Sequence, residues 1–408
     1  VKRPIAAVLF VLAAAACQRA AAPPQKAPAS TAASAAPDAK FGSDADVDID
    51  ADNLLNLAYG ASVVSRTGES NLEYSAVQAI DGYSGTYWSS PPGGPRQTLV
   101  FALPSRARID RLGVTGFLET PPGKIRFDAS LDGKHWREVA TQNPEASNAP
   151  QIADVKPFEA RYLRLETIEP RATYEMFRSV HAIGAELARP QPRNFGGCWT
   201  INGVTTQIVQ DCARITGVMA STPPTFLEGG TDGRVAMLMW RRAPNWGYAA
   251  VAMDANTRTL SGLTMYQEIA TANAAAAWFG KPCAATSAAL PPTPPPSLSP
   301  RWSMYSLAFD AHDQLLEDVS RSTLDTVAQI LRSTPGRFRI TAHELRVGAA
   351  EQRTAARIAS LRTALQKRGV DLTRIDFVSA GNRWNGPPIV AAIQRLLASR
   401  VDLEKVMH

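Results

Sequence analysis

The chain has 408 residues, of which 45% are hydrophobic and 20% charged, so most of it can form packed cores and global disorder is excluded. Its 43 Lys and Arg against 37 Asp and Glu leave a formal net charge of +6, too thin over this length for the concentrated basic face that a nucleic-acid partner requires. The usual signatures of zinc sites, serine hydrolases and nucleotide enzymes (CxxC, HExxH, GxSxG and GxxxxGK[ST]) do not occur, which favours a modular binding or anchoring protein over an enzyme.

Residues 1–16 join a positive start, Lys2 and Arg3, to a short apolar stretch ending in small residues. This is the pattern of a secretory signal peptide, too short for a membrane span. With Cys17 directly after Ala14-Ala-Ala, the segment resembles a bacterial lipobox. The resemblance implies cleavage before Cys17, acylation of that residue, and a lipid-anchored, periplasm-facing place at the outer membrane. Residues 17–53 form an Ala/Pro-rich and then acidic tether, and Asp44, Asp46, Asp48, Asp50 and Asp52 lack the glycine and closing glutamate of a calcium loop.

From 54 to 190, runs such as TLVFAL, KIRFDASL and ARYLRLETI have strand composition and are separated by turn residues, predicting an antiparallel β-sandwich. Asn56-Leu-Ala, Ala79-Ile-Asp81-Gly82, Thr86-Tyr-Trp88, Ser130-Leu-Asp132-Gly133 and Arg161-Tyr-Leu-Arg-Leu165 resemble the discoidin family, a jelly roll that includes coagulation-factor C-type and galactose-binding modules. That resemblance implies a structural Ca²⁺ held by Asp81, Thr86 and Glu186. The residues themselves equally allow Asp81 to cap its own turn. It further implies a ligand site on the loops 65–73, 91–96, 118–123 and 171–178. Arg66, Arg96, Tyr174, Phe177 and Arg178 lie there and are the candidate glycan contacts, because a sugar site needs flat apolar faces beside a few polar groups. Trp88 and Trp136 are expected in the core.

Residues 195–285 alternate around an Asn202-Gly203 hairpin turn and predict a small all-β meander or barrel. In a closed meander the first and last strands pair, bringing Cys198 and Cys283 together as a disulfide, with Cys212 as the competing partner. Residues 286–300 are a Pro-rich linker. Over 301–408 the periodicity alternates four strands with three helices, predicting an α/β sandwich. Leu324-Asp-Thr-Val-Ala-Gln-Ile-Leu331, Arg339-Ile-Thr-Ala-His343 and Arg357-Ile-Ala-Ser-Leu361 resemble the OmpA-like peptidoglycan-binding domain. The resemblance implies that Arg357 and Arg400 meet the carboxylates of the wall peptide. Its usual Asp is replaced by Leu345, with Glu344 beside it as the substitute partner for an ammonium.

The expected function is a non-catalytic envelope lipoprotein that joins the outer membrane to peptidoglycan and presents a glycan-binding module. The alternative is an interaction scaffold with a degenerate wall domain and a protein-binding sandwich.

Overall fold

The computed structural model describes residues 53–93, 96–171, 173–188, 190–266, 275–283, 294–299, 301–345, 349–383 and 392–406, and these form a six-stranded sheet with a two-stranded ribbon, a closed barrel and a four-stranded sheet with helices. Cys17 and the acidic tether up to Asp52 lie outside the described residues. The first unit contains β1 (Ser62–Arg66), β2 (Trp88–Ser89), β3 (Thr98–Thr115), β4 (Lys124–Ser130), β5 (Arg137–Gln142), β6 (Pro150–Glu169), β7 (Met176–Phe177) and β8 (Ser179–Glu186). The main sheet runs β1-β3-β6-β4-β5, with β8 also on β3, while β2 and β7 form a separate ribbon.

The two long strands make the sandwich. The β3–β6 register breaks between Ala102 and Ala107, and at the opposite point β6 switches the parity of its buried side chains. Phe158, Ala160 and Tyr162 are buried before that point, and Leu163, Leu165 and Thr167 after it. A strand's side chains alternate strictly, so such a switch requires a bend, and the bend folds one long ladder into two layers.

The middle unit is a closed eight-stranded barrel of β9 (Gly197–Ile201), β10 (Val204–Asp211), β11 (Arg214–Met219), β12 (Thr225–Thr231), β13 (Val235–Arg242), β14 (Asn245–Asp254), β15 (Thr259–Tyr266) and β16 (Ala276–Pro282). Its lumen is filled by side chains including Trp199, Leu238, Trp240, Val251 and Trp278. Along β13 the opposite parity, Val235, Met237 and Met239, is also buried, but against the neighbouring units. Burying such a side chain contributes about 1.5–3 kcal/mol. The barrel's outside is therefore a second core. Cys198 and Cys283 form the expected disulfide across the β9–β16 seam, with Cα atoms 5.4 Å apart.

The third unit has β17 (Trp302–Met304), α1 (Glu317–Ser333), β18 (Arg337–His343), α2 (Ala350–Lys367), β19 (Ile375–Gly381), α3 (Ala392–Ala398) and β20 (Val401–Val406). Its sheet runs β17-β20-β18-β19, and β18 and β19 are parallel across the α2 crossover. Phe338, Ile340 and Leu403 pack with Leu324, Val327, Leu361 and Leu365 of the helices. Helix α3 leaves this core, and its Ile393 and Leu397 join the apolar cluster shared by sandwich and barrel.

The expected spacer between barrel and α/β unit is, where described, a packed segment. The backbone carbonyls of Ser297 and Arg301 accept from Arg241, and Leu298 packs on the α/β core. Between sandwich and barrel, Asp254 is fully buried and accepts from Arg161 at 2.8 Å and from the Tyr162 hydroxyl at 3.1 Å. Gly230 lets the α/β backbone approach β12, since a Cβ there would meet Ser306 Cα at 2.5 Å.

Candidate functional site

The loop 79–88 sets out one end of the sandwich. Asp81 is buried; its Oδ1 accepts from Tyr83 N at 2.9 Å and its Oδ2 from the Thr86 hydroxyl at 2.8 Å, while Gly82 supplies a φ of 75°. This is the turn-capping alternative. Glu186 instead faces the barrel, where Arg234 Nη2 lies 3.2 Å from its Oε2. In this arrangement the carboxylate oxygens of Asp81 and Glu186 accept from protein donors.

The capped loop delivers Trp88 inward, where its ring stacks on Phe177 with centroids 5.5 Å apart. Because strand side chains alternate, its neighbour Tyr87 must then point outward. The antiparallel pairing Trp88↔Phe177 also sets Tyr87 opposite Arg178. Tyr87 stacks on Tyr74 at 4.7 Å and meets the edge of Phe117 at 5.1 Å. The Arg178 guanidinium lies 4.2 Å from the centre of the Phe117 ring and donates through Nη1 to Ser84 O at 2.7 Å. All four side chains are half-buried. Burial, and then the Tyr74 phenol, push the Tyr87 hydroxyl above its ordinary pKa, with Arg178 opposing. The hydroxyl is thus a neutral donor and acceptor at physiological pH. Three ring surfaces and one fixed cation form a shelf suited to a ligand with a flat apolar face and polar edges.

Of the expected glycan contacts, only Arg178 joins this shelf. Phe177 is a core residue with no exposure, so it offers no platform. Arg66 is turned to the barrel: its Nε pairs with Glu69 at 2.8 Å and its guanidinium lies 3.4 Å from the centre of the Phe279 ring. Arg96 stands exposed, 3.6 Å from Glu166. Tyr174 is 43% exposed on the neighbouring loop, whose backbone is held by Ser90 and Gly93. Trp136, expected in the core, is half-buried with Arg164 over its ring at 4.8 Å. The loop windows read from the sequence stop one residue short of both Tyr74 and Phe117. The signal for Tyr87 was present, since a buried Trp88 fixes the parity of the residue before it.

In the α/β unit the structure corrects the expected ligand arms. Arg357 is 14% exposed, and its fork is already occupied: Nε donates to Asp313 at 2.8 Å and Nη2 to Glu344 at 3.0 Å. Glu344 is fully buried and accepts from Ser399 Oγ at 2.8 Å on its other oxygen. It therefore holds Arg357 and the end of β20's approach, and presents no carboxylate to an external ammonium. Arg400 is 5% exposed, donates to Asp402 at 2.9 and 3.1 Å, and lies over Tyr248 of the barrel. Burial opposes charge on both partners, yet their attraction holds Asp402 below and Arg400 above the ordinary value. Arg400 is thus a buried junction residue and not a ligand contact.

Residues 62–180 match the family model described as the F5/8 type C domain. Solved structures similar to the chain include the C-terminal domain of a chitobiase from Bacteroides fragilis, at 22% identity, 32% of this chain, 96% of that one and a TM-score of 0.30. A CBM32 module of a family 31 glycoside hydrolase from Clostridium perfringens matches at 17% identity over 31% and 92%, with a TM-score of 0.28. A chitosan-binding module, in complex with chitotriose, of a chitosanase/glucanase from Paenibacillus sp. IK-5 matches at 18% identity over 32% and 100%, with a TM-score of 0.29. No curated protein matches the chain.

Proposed function

We propose that the chain is a non-catalytic carbohydrate-binding protein of the bacterial envelope, and that its sandwich receives a sugar on the shelf of Tyr74, Tyr87, Phe117 and Arg178. The observation that carries this reading is the shelf itself. Aromatic side chains usually bury their faces, and here three rings and a guanidinium remain half-open at one end of a domain that matches the F5/8 type C model. The disulfide across the barrel seam supports export, because such bonds persist in oxidising compartments. Acylation at Cys17 and a wall contact by the α/β unit complete the proposal. The wall contact rests on the strand–helix alternation behind the OmpA-like resemblance, and not on Arg357 or Arg400.

The test is a glycan array probed with the full chain and with Tyr87→Ala. Retention of the parent on a subset of glycans, reduced about tenfold or more in the variant, is the expected result. Equal retention of both proteins would remove the shelf as the site. Capture of one envelope protein with no retention on any glycan would establish the scaffold alternative.

A further inference from the structure

Arg178 is placed differently from three other arginines of the sandwich. Arg66, Arg126 and Arg164 each meet a carboxylate, on Glu69, Glu166 and Asp128 respectively. Among the described residues the Arg178 side chain makes a single hydrogen bond, to Ser84 O, and no ion pair with any Asp or Glu. Its Nε is buried with no acceptor. A guanidinium carries five N–H donors in a fixed fork. Among the described residues the other four have no acceptor; Nε is enclosed, so the donors open to a ligand are those of Nη2 and the second N–H of Nη1. Leaving a buried donor unmatched is costly, and a cation half-removed from water on an aromatic face more so.

The surroundings fix this fork in place. Phe117 covers one face of the guanidinium, the Ser84 carbonyl holds one edge, and Tyr87 stands opposite across the β2–β7 register. Tyr87 packs on the same Phe117 ring and stacks on Tyr74, which brings two further rings into the cluster. A ligand completing this arrangement needs a planar anion at its edge and a flat C–H face next to it. A carboxylate attached to a pyranose ring has both.

Resting on the carbohydrate reading above, we propose that Arg178 is the specificity-determining residue of the shelf and that the preferred ligand is an acidic sugar bearing a carboxylate. The carboxylate takes the Nη1–Nη2 end of the guanidinium while the ring lies on Tyr87 and Tyr74. Lys cannot reproduce that contact, because its ammonium is a point charge without the planar pair of donors.

The experiment titrates the full chain with a galacturonate trisaccharide and with its methyl ester, which keeps the ring and removes the charge. The acid is expected to bind about tenfold more tightly than the ester. That ratio should shrink as salt rises. In Arg178→Gln the ratio should fall to near one, and Arg178→Lys should give an intermediate value. Circular dichroism and melting of both variants separate loss of the fork from loss of the fold. If the parent binds acid and ester equally, or binds neutral glycans and neither probe, the specificity is wrong and the carbohydrate reading stands. If no glycan of any kind binds, both readings fail.

Discussion

Arg357→Met replaces a guanidinium by an apolar side chain at the centre of the Asp313–Arg357–Glu344 cluster. Glu344 is fully buried and Asp313 is 8% exposed, so both carboxylates lose their principal cation in a nearly dry site. Breaking one partner out of a buried ion pair costs about 3–5 kcal/mol. Two features place this case at the lower end. Ser399 still donates to Glu344 at 2.8 Å, and Arg353 already lies 3.7 Å from Asp313 and 3.9 Å from Glu344. The expected loss is therefore about 3 kcal/mol, read from urea unfolding of the full chain. Adding Glu344→Gln removes the stranded charge, so the double variant should recover part of that loss, which a double-mutant cycle measures directly. Co-sedimentation with purified sacculi supplies the opposing outcome. If Arg357→Met unfolds like the parent and yet no longer pellets with sacculi, Arg357 is a ligand arm and its reading as an internal clamp is refuted.

Further consequences can be checked in the same preparations. Arg161→Ala strands the buried Asp254 at the sandwich–barrel contact and should make the segment between them sensitive to limited proteolysis while the barrel's disulfide remains intact. Gly230→Ala places a Cβ against the Ser306 backbone and should lower the melting temperature, whereas Gly203→Ala, with open space around its Cβ position, should act only through its positive φ and leave the α/β contact unchanged. Removing Cys198–Cys283, which closes a sequence separation of 85, by Cys283→Ser should cost about 4.6 kcal/mol by the loop-entropy account, seen as a lower melting temperature without reductant. Asp402 has a folded pKa below its unfolded one, so its contribution is present above about pH 4 and is lost as pH falls further. Asp402→Asn should accordingly be less stable at pH 7 and show a flatter decline below pH 4 than the parent.

Local order was legible in the sequence wherever one side of a strand or helix meets the core. The Asn202-Gly203 turn, the strand runs of the sandwich and the helical face Leu324, Val327, Ala328, Leu331 are each set by neighbours a few residues away. The assembly of the units was not read, although one signal for it existed. The runs VAMLMWRR and YAAVAMD are apolar at both parities, which is what a strand buried on two faces looks like. What sequence spacing could not supply is the partner of a charge. Asp254 reads as a turn residue, and it does hold Thr257, but its oxygens also receive Arg161 from 93 positions away. Glu344 and Arg400 read as ligand contacts for the same reason: their burial depends on Ser399, Arg357, Asp402 and Tyr248, which only the tertiary fold brings near.

The barrel's two-sided burial has a mechanical meaning. A barrel with an apolar exterior wedged between two other domains acts as a bracket, not as a bead on a string. Tension on a sugar held at the Tyr87 shelf would pass through the sandwich into β13–β15 and across to helix α3 and β17. Among the described residues that path is pinned at the Arg161–Asp254 contact and at the Arg241 grip on Ser297 and Arg301. The angle between the shelf and the α/β sheet is thereby fixed by the fold. Any ligand of the shelf would be presented at a set distance and tilt relative to whatever surface the other end faces.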